Sequence, residues 1–134
     1  MKAMTIWHRM LFKGFRGSGL GTFMGNPICM ITTVGRKSGN PVTTPLLTIP
    51  HQDDYILVAS QGGAPTHPAW YYNIVDEPRI KMTIQSKTYD MFAKQLSDKE
   101  KEDLWPFIVN ACSVYDKYRQ QTSRNIPVFL CSKQ

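Results

Sequence analysis

Short β-branched runs follow one another along this chain, and most are joined by connections too short for a parallel crossover. A parallel pair needs a crossover of about a dozen residues or more, whereas an antiparallel pair needs only a tight turn. The chain is therefore expected to fold as an antiparallel sheet curled into a barrel, with helices at its periphery: an α+β domain. Strands are expected over 28–34, 42–49, 55–60, 79–85, 88–95 and 126–131. Gly35 to Pro41 turns the first strand into the second, making a β-hairpin. Pro45 cannot donate to a ladder, so it places the second strand at an edge or a bulge.

Helical segments fall between the strands. Pro68 can open a short helix through Asn73 and Val75, which Glu77-Pro78 ends. Ser97 and Glu100 have capping-box spacing. Pro106 should break or restart the helix that follows, whose second part runs to about Tyr118. Near the N-terminus, Trp7, Met10 and Leu11 suit one face of a short helix over residues 4–13, and Gly17, Gly19 and Gly21 end it. That helix reads as packed on the body of the domain or, as the alternative, as a basic surface anchor for peripheral membrane contact. At 134 residues the chain has room for one core, so residues 1–134 form a single domain, with 1–21 as helix and glycine-rich connector.

Composition narrows the function. A net charge of +6 favours anionic partners without choosing among them. Nucleic acid is not expected, because no reader motif accompanies the charge. Cys29, Cys112 and Cys131 are far apart and lack metal or disulfide spacing, which fits reduced thiols in a cytoplasmic protein. No apolar run is long enough to span a membrane, and the N-terminal apolar residues are broken by His8, Arg9, Lys13 and Arg16, unlike a signal peptide. Hydrolase chemistry has no GxSxG and no obvious carboxylate pair to stand on.

Four segments can carry chemistry. Arg36, Lys37 and Ser38 sit in a turn between glycines, where two cations, a hydroxyl and backbone N–H groups can converge on one phosphate or carboxylate. The turn is not a Walker loop, since the GxxxxGK[ST] spacing is absent. Ser60, Gln61, Gly62, Gly63 and Ala64 leave the third strand without a bulky side chain, so a flat ring can lie against main chain; the plainer reading is a tight turn. His67 can donate a proton, although a structural role is the plainer one; Trp70 is either a core anchor or a stacking platform, and Asn73 can bond a ring edge or cap a turn. Tyr115 and Tyr118 are three apart and share a helical face, where one phenol can serve a developing anion.

Taken together, TTVGRKSGNPVTTPLL, VASQGGAPTHPAWYYNI and YDKYRQQTSRNIPV resemble the deazaflavin-dependent nitroreductase family of the flavin/deazaflavin oxidoreductases. The resemblance covers about residues 26–130. It implies a split β-barrel of the FMN-binding type and coenzyme F420 as cofactor, with FMN as the alternative. It also implies hydride transfer to a small acceptor: a quinone, an activated alkene or a nitroaromatic. By the family pattern Arg36, Lys37 and Ser38 would hold the phosphate and oligoglutamate tail. Ser60, Gly62, Gly63 and Ala64 would lie along the ring, Trp70 and Asn73 would flank it, and Tyr115 and Tyr118 would face the substrate, with Tyr118 as proton donor or anion stabiliser. Relatives often carry basic residues where this chain has Val42 and Gln61, and their absence removes two contacts to an anionic tail. Split barrels often pair, so a homodimer is expected. The remaining alternative is a non-enzymatic binding protein for an anionic or lipophilic ligand.

Overall fold

The computed structural model describes residues 21–134. The expected helix over 4–13 and the following Gly17 and Gly19 lie outside the described residues. Eight strands are present among the described residues: β1 (Thr22–Phe23), β2 (Asn26–Val34), β3 (Pro41–Leu47), β4 (Ile49–His51), β5 (Asp54–Val58), β6 (Arg79–Ile84), β7 (Lys87–Gln95) and β8 (Val128–Lys133). Three helices accompany them among the described residues: α1 (Ala69–Asp76), α2 (Asp98–Ala111) and α3 (Val114–Gln121). Every strand pair is antiparallel, as the short connections require.

The sheet runs β2-β6-β7-β8-β5-β4, while β3 pairs with the other side of β2. The expected strand over 42–49 is in fact two strands, β3 and β4, separated by Thr48. One bent stretch thereby joins β2 at its start and β5 at its end, and the ladder goes round into a split barrel. Thr48 is fully buried at the bend. Its N–H donates to Pro27 O at 3.0 Å and its Oγ1 to Ile56 O at 3.2 Å, so one residue is bonded to both neighbouring strands. Pro45 lies opposite Met30 in β3, whose single strand partner among the described residues is β2. This is the edge position where a missing donor is tolerated.

Side chains alternate between two apolar clusters. The first gathers Ile31, Leu57, Ile80, Met82, Met91 and Phe129 from all round the barrel, and α1 adds Trp70 and Ile74. The second lies between the barrel wall and the helices, with Ile28, Leu47, Ile56 and Val128 against Trp105, Ile108 and Tyr115. Neighbours such as Ile56 and Leu57, or Val128 and Phe129, enter opposite clusters. Strands buried on both faces read as continuous apolar runs, which is why β5 and β8 show little polar alternation. On β6 the residues facing away from the barrel, Lys81 and Thr83, are at least partly exposed, and the alternation returns.

Three expectations are corrected. Pro106 does not break the helix: α2 runs through it to Ala111, and the interruption falls at Cys112–Ser113. Pro106 is exposed, so the carbonyl that loses its N–H partner can be hydrated, while Trp105 and Ile108 hold the opposite side in the core. The turn after β6 is Gln85–Ser86 rather than Ser86–Lys87, with both residues at positive φ (51° and 70°), as a two-residue hairpin of the primed type demands. Six expected strands become eight through the split at Thr48 and the addition of β1. The capping box forms as expected: Glu100 N–H donates to Ser97 Oγ at 3.1 Å and Ser97 N–H to Glu100 Oε1 at 2.8 Å.

Thr48→Val keeps the volume and removes the hydroxyl that ties the bend to β5. The expected loss is about 0.5–1.5 kcal/mol of folding stability. Urea unfolding with unchanged stability would show that the bond contributes nothing to closure.

Candidate active site

The β2–β3 turn is built to present cations. Gly35 N–H donates to Asn40 O and Gly39 N–H to Gly35 O, both at 2.8 Å. A Cβ on Gly35 would lie 2.8 Å from Ser38 Oγ and 3.1 Å from Asn40 O, so no side chain fits there. Ser38 Oγ accepts the Asn40 N–H at 3.0 Å. Arg36, Lys37 and Ser38 are exposed at the tip. Among the described residues neither Arg36 nor Lys37 is ion-paired to a carboxylate.

The turn is pinned from α1. Buried Asn73 accepts the Arg36 N–H on Oδ1 at 3.0 Å and donates from Nδ2 to Thr33 Oγ1 at 3.1 Å. The Arg36 guanidinium lies over the Tyr72 ring, 4.9 Å from its centroid, where the ring quadrupole favours a cation. Trp70 is 6% exposed, with its ring centroid 6.0 Å from that of Phe129 in the barrel core. Thus α1 turns Trp70 inward and brings Asn73 and Tyr72 to the hairpin.

The segment after β5 turns back on itself through a 3-10 turn at Gln61–Gly63. Gly62 has φ +62° and, among the described residues, nothing within 4 Å of where a Cβ would stand, so they leave its face open. Gly63, at φ +82°, is different: a Cβ there would come within 3.1 Å of Tyr118 O and 2.6 Å of Gln121 Oε1. Its missing side chain admits α3 rather than open space. Ser60 is buried at the strand end, and Ala64 N–H closes the turn onto Gln61 O at 3.0 Å.

Helix α3 supplies the phenols. Tyr115 is 6% exposed within the helix-side core cluster, and Tyr118 is half-buried beside it, with ring centroids 6.2 Å apart and nearly perpendicular. Burial pushes both phenols above their ordinary range, so both keep their protons at neutral pH. Burial likewise pushes the Cys29 thiol up to about 12 and raises Cys131, which leaves these cysteines as inert core residues. No cluster of metal-ligating side chains exists among the described residues, and no helix there is long and apolar enough to cross a membrane.

Sequence reasoning missed Arg124 and Tyr72. Arg124, in the connection from α3 to β8, donates to Ala59 O (3.0 Å), Ser60 O (2.7 Å) and Ala64 O (3.1 Å), and also contacts His67 Nδ1. Burial and the Arg124 charge both lower the His67 pKa, so the ring is neutral there. Its ring centroid lies 4.3 Å from that of Tyr71 and 5.9 Å from that of Tyr72. Arg124 lies inside the YDKYRQQTSRNIPV block, but its polar neighbours Ser123 and Asn125 suggest no role for it, and only its long-range partners reveal one. Three distant segments thus form one contiguous band: Arg36 on Tyr72, Tyr72 by His67, His67 on Arg124, Arg124 under the Gly62 loop, and Gly63 against Tyr118.

The sequence model of the F420H(2)-dependent quinone reductase family matches residues 7–133. An F420H(2)-dependent quinone reductase of Mycobacterium tuberculosis is 31% identical over 131 residues, covering 95% of this chain and 88% of the relative. A solved F420-H2 dependent reductase is 37% identical and superposes with a TM-score of 0.71 over 79% of this chain and 94% of its own. A pyridoxamine 5'-phosphate oxidase-like structure from Listeria innocua, only 11% identical, shares the fold over 81% of this chain and 84% of its own, with a TM-score of 0.57. The chain therefore belongs to the F420H(2)-dependent quinone reductase family: it is an oxidoreductase on a split barrel, with coenzyme F420 as its cofactor.

Proposed function

We propose that this chain reduces small quinone-type acceptors along the band that joins the basic turn, the Gly62 loop and α3. The observation that carries the reading is the band itself: among the described residues, exposed cations without carboxylate partners at one end, an open glycine face in the middle and a neutral phenol beyond it.

The residues fit the cofactor. A phosphate and an oligoglutamate tail need cations that are not already neutralised, and Arg36 and Lys37 meet that need on a turn fixed by Gly35 and Asn73. Arg36 offers a planar fork and Lys37 a point charge, with the Ser38 hydroxyl between them and Gly39. A flat ring needs backbone without an intervening side chain, and Gly62 meets that need, with Ser60, Gly63 and Ala64 setting the shape of the loop. When bound, the reduced deazaflavin supplies a hydride.

The chain's own groups do the rest. They orient the reacting partners and hold a proton near the acceptor. A quinone that accepts a hydride gains negative charge on oxygen and needs one proton to become the hydroquinone. Tyr118 retains its phenolic proton and can donate a hydrogen bond to that oxygen as the charge develops. Tyr115, packed edge-on against it, fixes the ring. Asn73 acts through the turn, since both ends of its amide are engaged there. Trp70 supports the same helix from the core. Activated alkenes and nitroaromatics present similar electrophilic centres and extend the expected acceptor panel.

Two outcomes test this reading. Arg36→Ala with Lys37→Ala removes charge-assisted contacts of roughly 1.5–3 kcal/mol each, so coenzyme F420 should bind at least about tenfold more weakly. A fluorescence titration that superposes on that of the unaltered protein would disprove the tail site. Tyr118→Phe should lower kcat for menadione while leaving cofactor affinity within about twofold. Turnover equal to that of the parent would remove the phenol from the chemistry.

A further inference from the structure

We infer that Arg124 is a positioning residue that shapes the Ser60–His67 loop into a platform for the cofactor ring and places a positive charge behind it. The inference rests on the proposed cofactor site and adds a residue and a role to it.

The geometry is that of a clamp. Arg124 uses Nε, Nη1 and Nη2 together, and its partners come from both arms of the loop: Ala59 and Ser60 where the chain leaves β5, Ala64 and His67 where it returns toward α1. A planar guanidinium spans these acceptors at once, which an ammonium cannot do. The neutral His67 ring accepts on Nδ1, so the loop is closed without a second cation at that point.

Arg124 is itself held. Its N–H donates to Thr122 Oγ1 at 3.1 Å. On the other side, Lys101 is a lysine only 5% exposed, whose Nζ donates to Ile126 O at 3.0 Å and to Asn125 Oδ1. Asn125 Nδ2 in turn donates to Asp98 Oδ1 at 3.0 Å. A buried lysine that bonds the residues just after Arg124 fixes that segment to α2, and through it the clamp to the body of the domain. The order is α2, the 124–126 segment, and then the loop.

Two consequences follow for a ligand on the open face of Gly62. Three carbonyl oxygens of the loop are drawn toward the guanidinium, which turns their negative ends to Arg124. The guanidinium has no carboxylate partner among the described residues, so its charge is not cancelled locally. Both effects favour an electron-rich or anionic ring over a neutral one.

The test uses the full chain with Arg124→Ala and Arg124→Lys. The first measurement needs no cofactor: amide hydrogen exchange across residues 59–67. Exchange there should quicken in both variants, more in Arg124→Ala, while β6 and β7 stay protected. The second is fluorescence titration with coenzyme F420. Affinity should fall about tenfold or more in Arg124→Ala and less in Arg124→Lys, which keeps the charge. Added guanidinium ion should restore part of the affinity of Arg124→Ala, an effect that general destabilisation would not give.

Unchanged exchange in the loop, or cofactor affinity equal to the parent in either variant, would overturn the inference. Should Arg124→Ala fail to fold, Arg124→Lys alone decides on the same two measurements. If the unaltered protein does not bind coenzyme F420, the proposed function fails, while the exchange data still judge the clamp.

Discussion

A barrel of this kind depends on one stretch of chain belonging to two ladders. Here that stretch is β3 and β4, and the residue that lets it change partners is Thr48. A buried bend leaves backbone donors and acceptors away from water, and each one left unpaired is costly. Thr48 answers this with its own N–H to β2 and its hydroxyl to β5. The barrel then has an inside for Leu57 and Phe129 and an outside for Ile56 and Val128, and α2 and α3 have a wall to pack on.

The same device recurs wherever the structure positions a functional group. Side chains, not strand ladders, fix the irregular segments. Asn73 bonds the hairpin turn that carries Arg36 and Lys37, and Arg124 bonds the loop that carries Gly62. Lys101 bonds the segment that carries Arg124. Each of these groups is at least partly buried, and each meets backbone or an amide, so its bonds are shielded from competing water. The two glycines of the loop divide the work: Gly62 leaves a face open, and Gly63 lets α3 approach.

Much of the fold was legible in the chain because strands, turns and caps are local. The hairpins follow from short connections, the capping box from Ser97 and Glu100, and the edge strand from Pro45. Pro106 was misread because the rule concerns an isolated helix, and packing by Trp105 and Ile108 carried α2 through it. The split at Thr48 was not legible, since the run over 42–49 has strand composition throughout and the bend is imposed by two different partners. The basic turn, the glycine loop and the tyrosine pair stood out as separate segments. That Arg36, Tyr72, His67 and Arg124 link them into one band did not, because the Arg36–Tyr72 and His67–Arg124 contacts join residues tens of positions apart.

By its order alone the chain settles most of the segments that extend and most of the turns between them, how much charge they carry and which family they belong to. All of these are properties of neighbouring residues or of motifs read in sequence. Folding alone settles what each cation meets. Lys37 and Arg124 are both basic residues in polar surroundings of the sequence, yet one ends exposed on a turn and the other under a loop with four of its donors engaged. The difference comes from which backbone carbonyls the closed barrel places within reach of a guanidinium, and that depends on contacts across the whole chain.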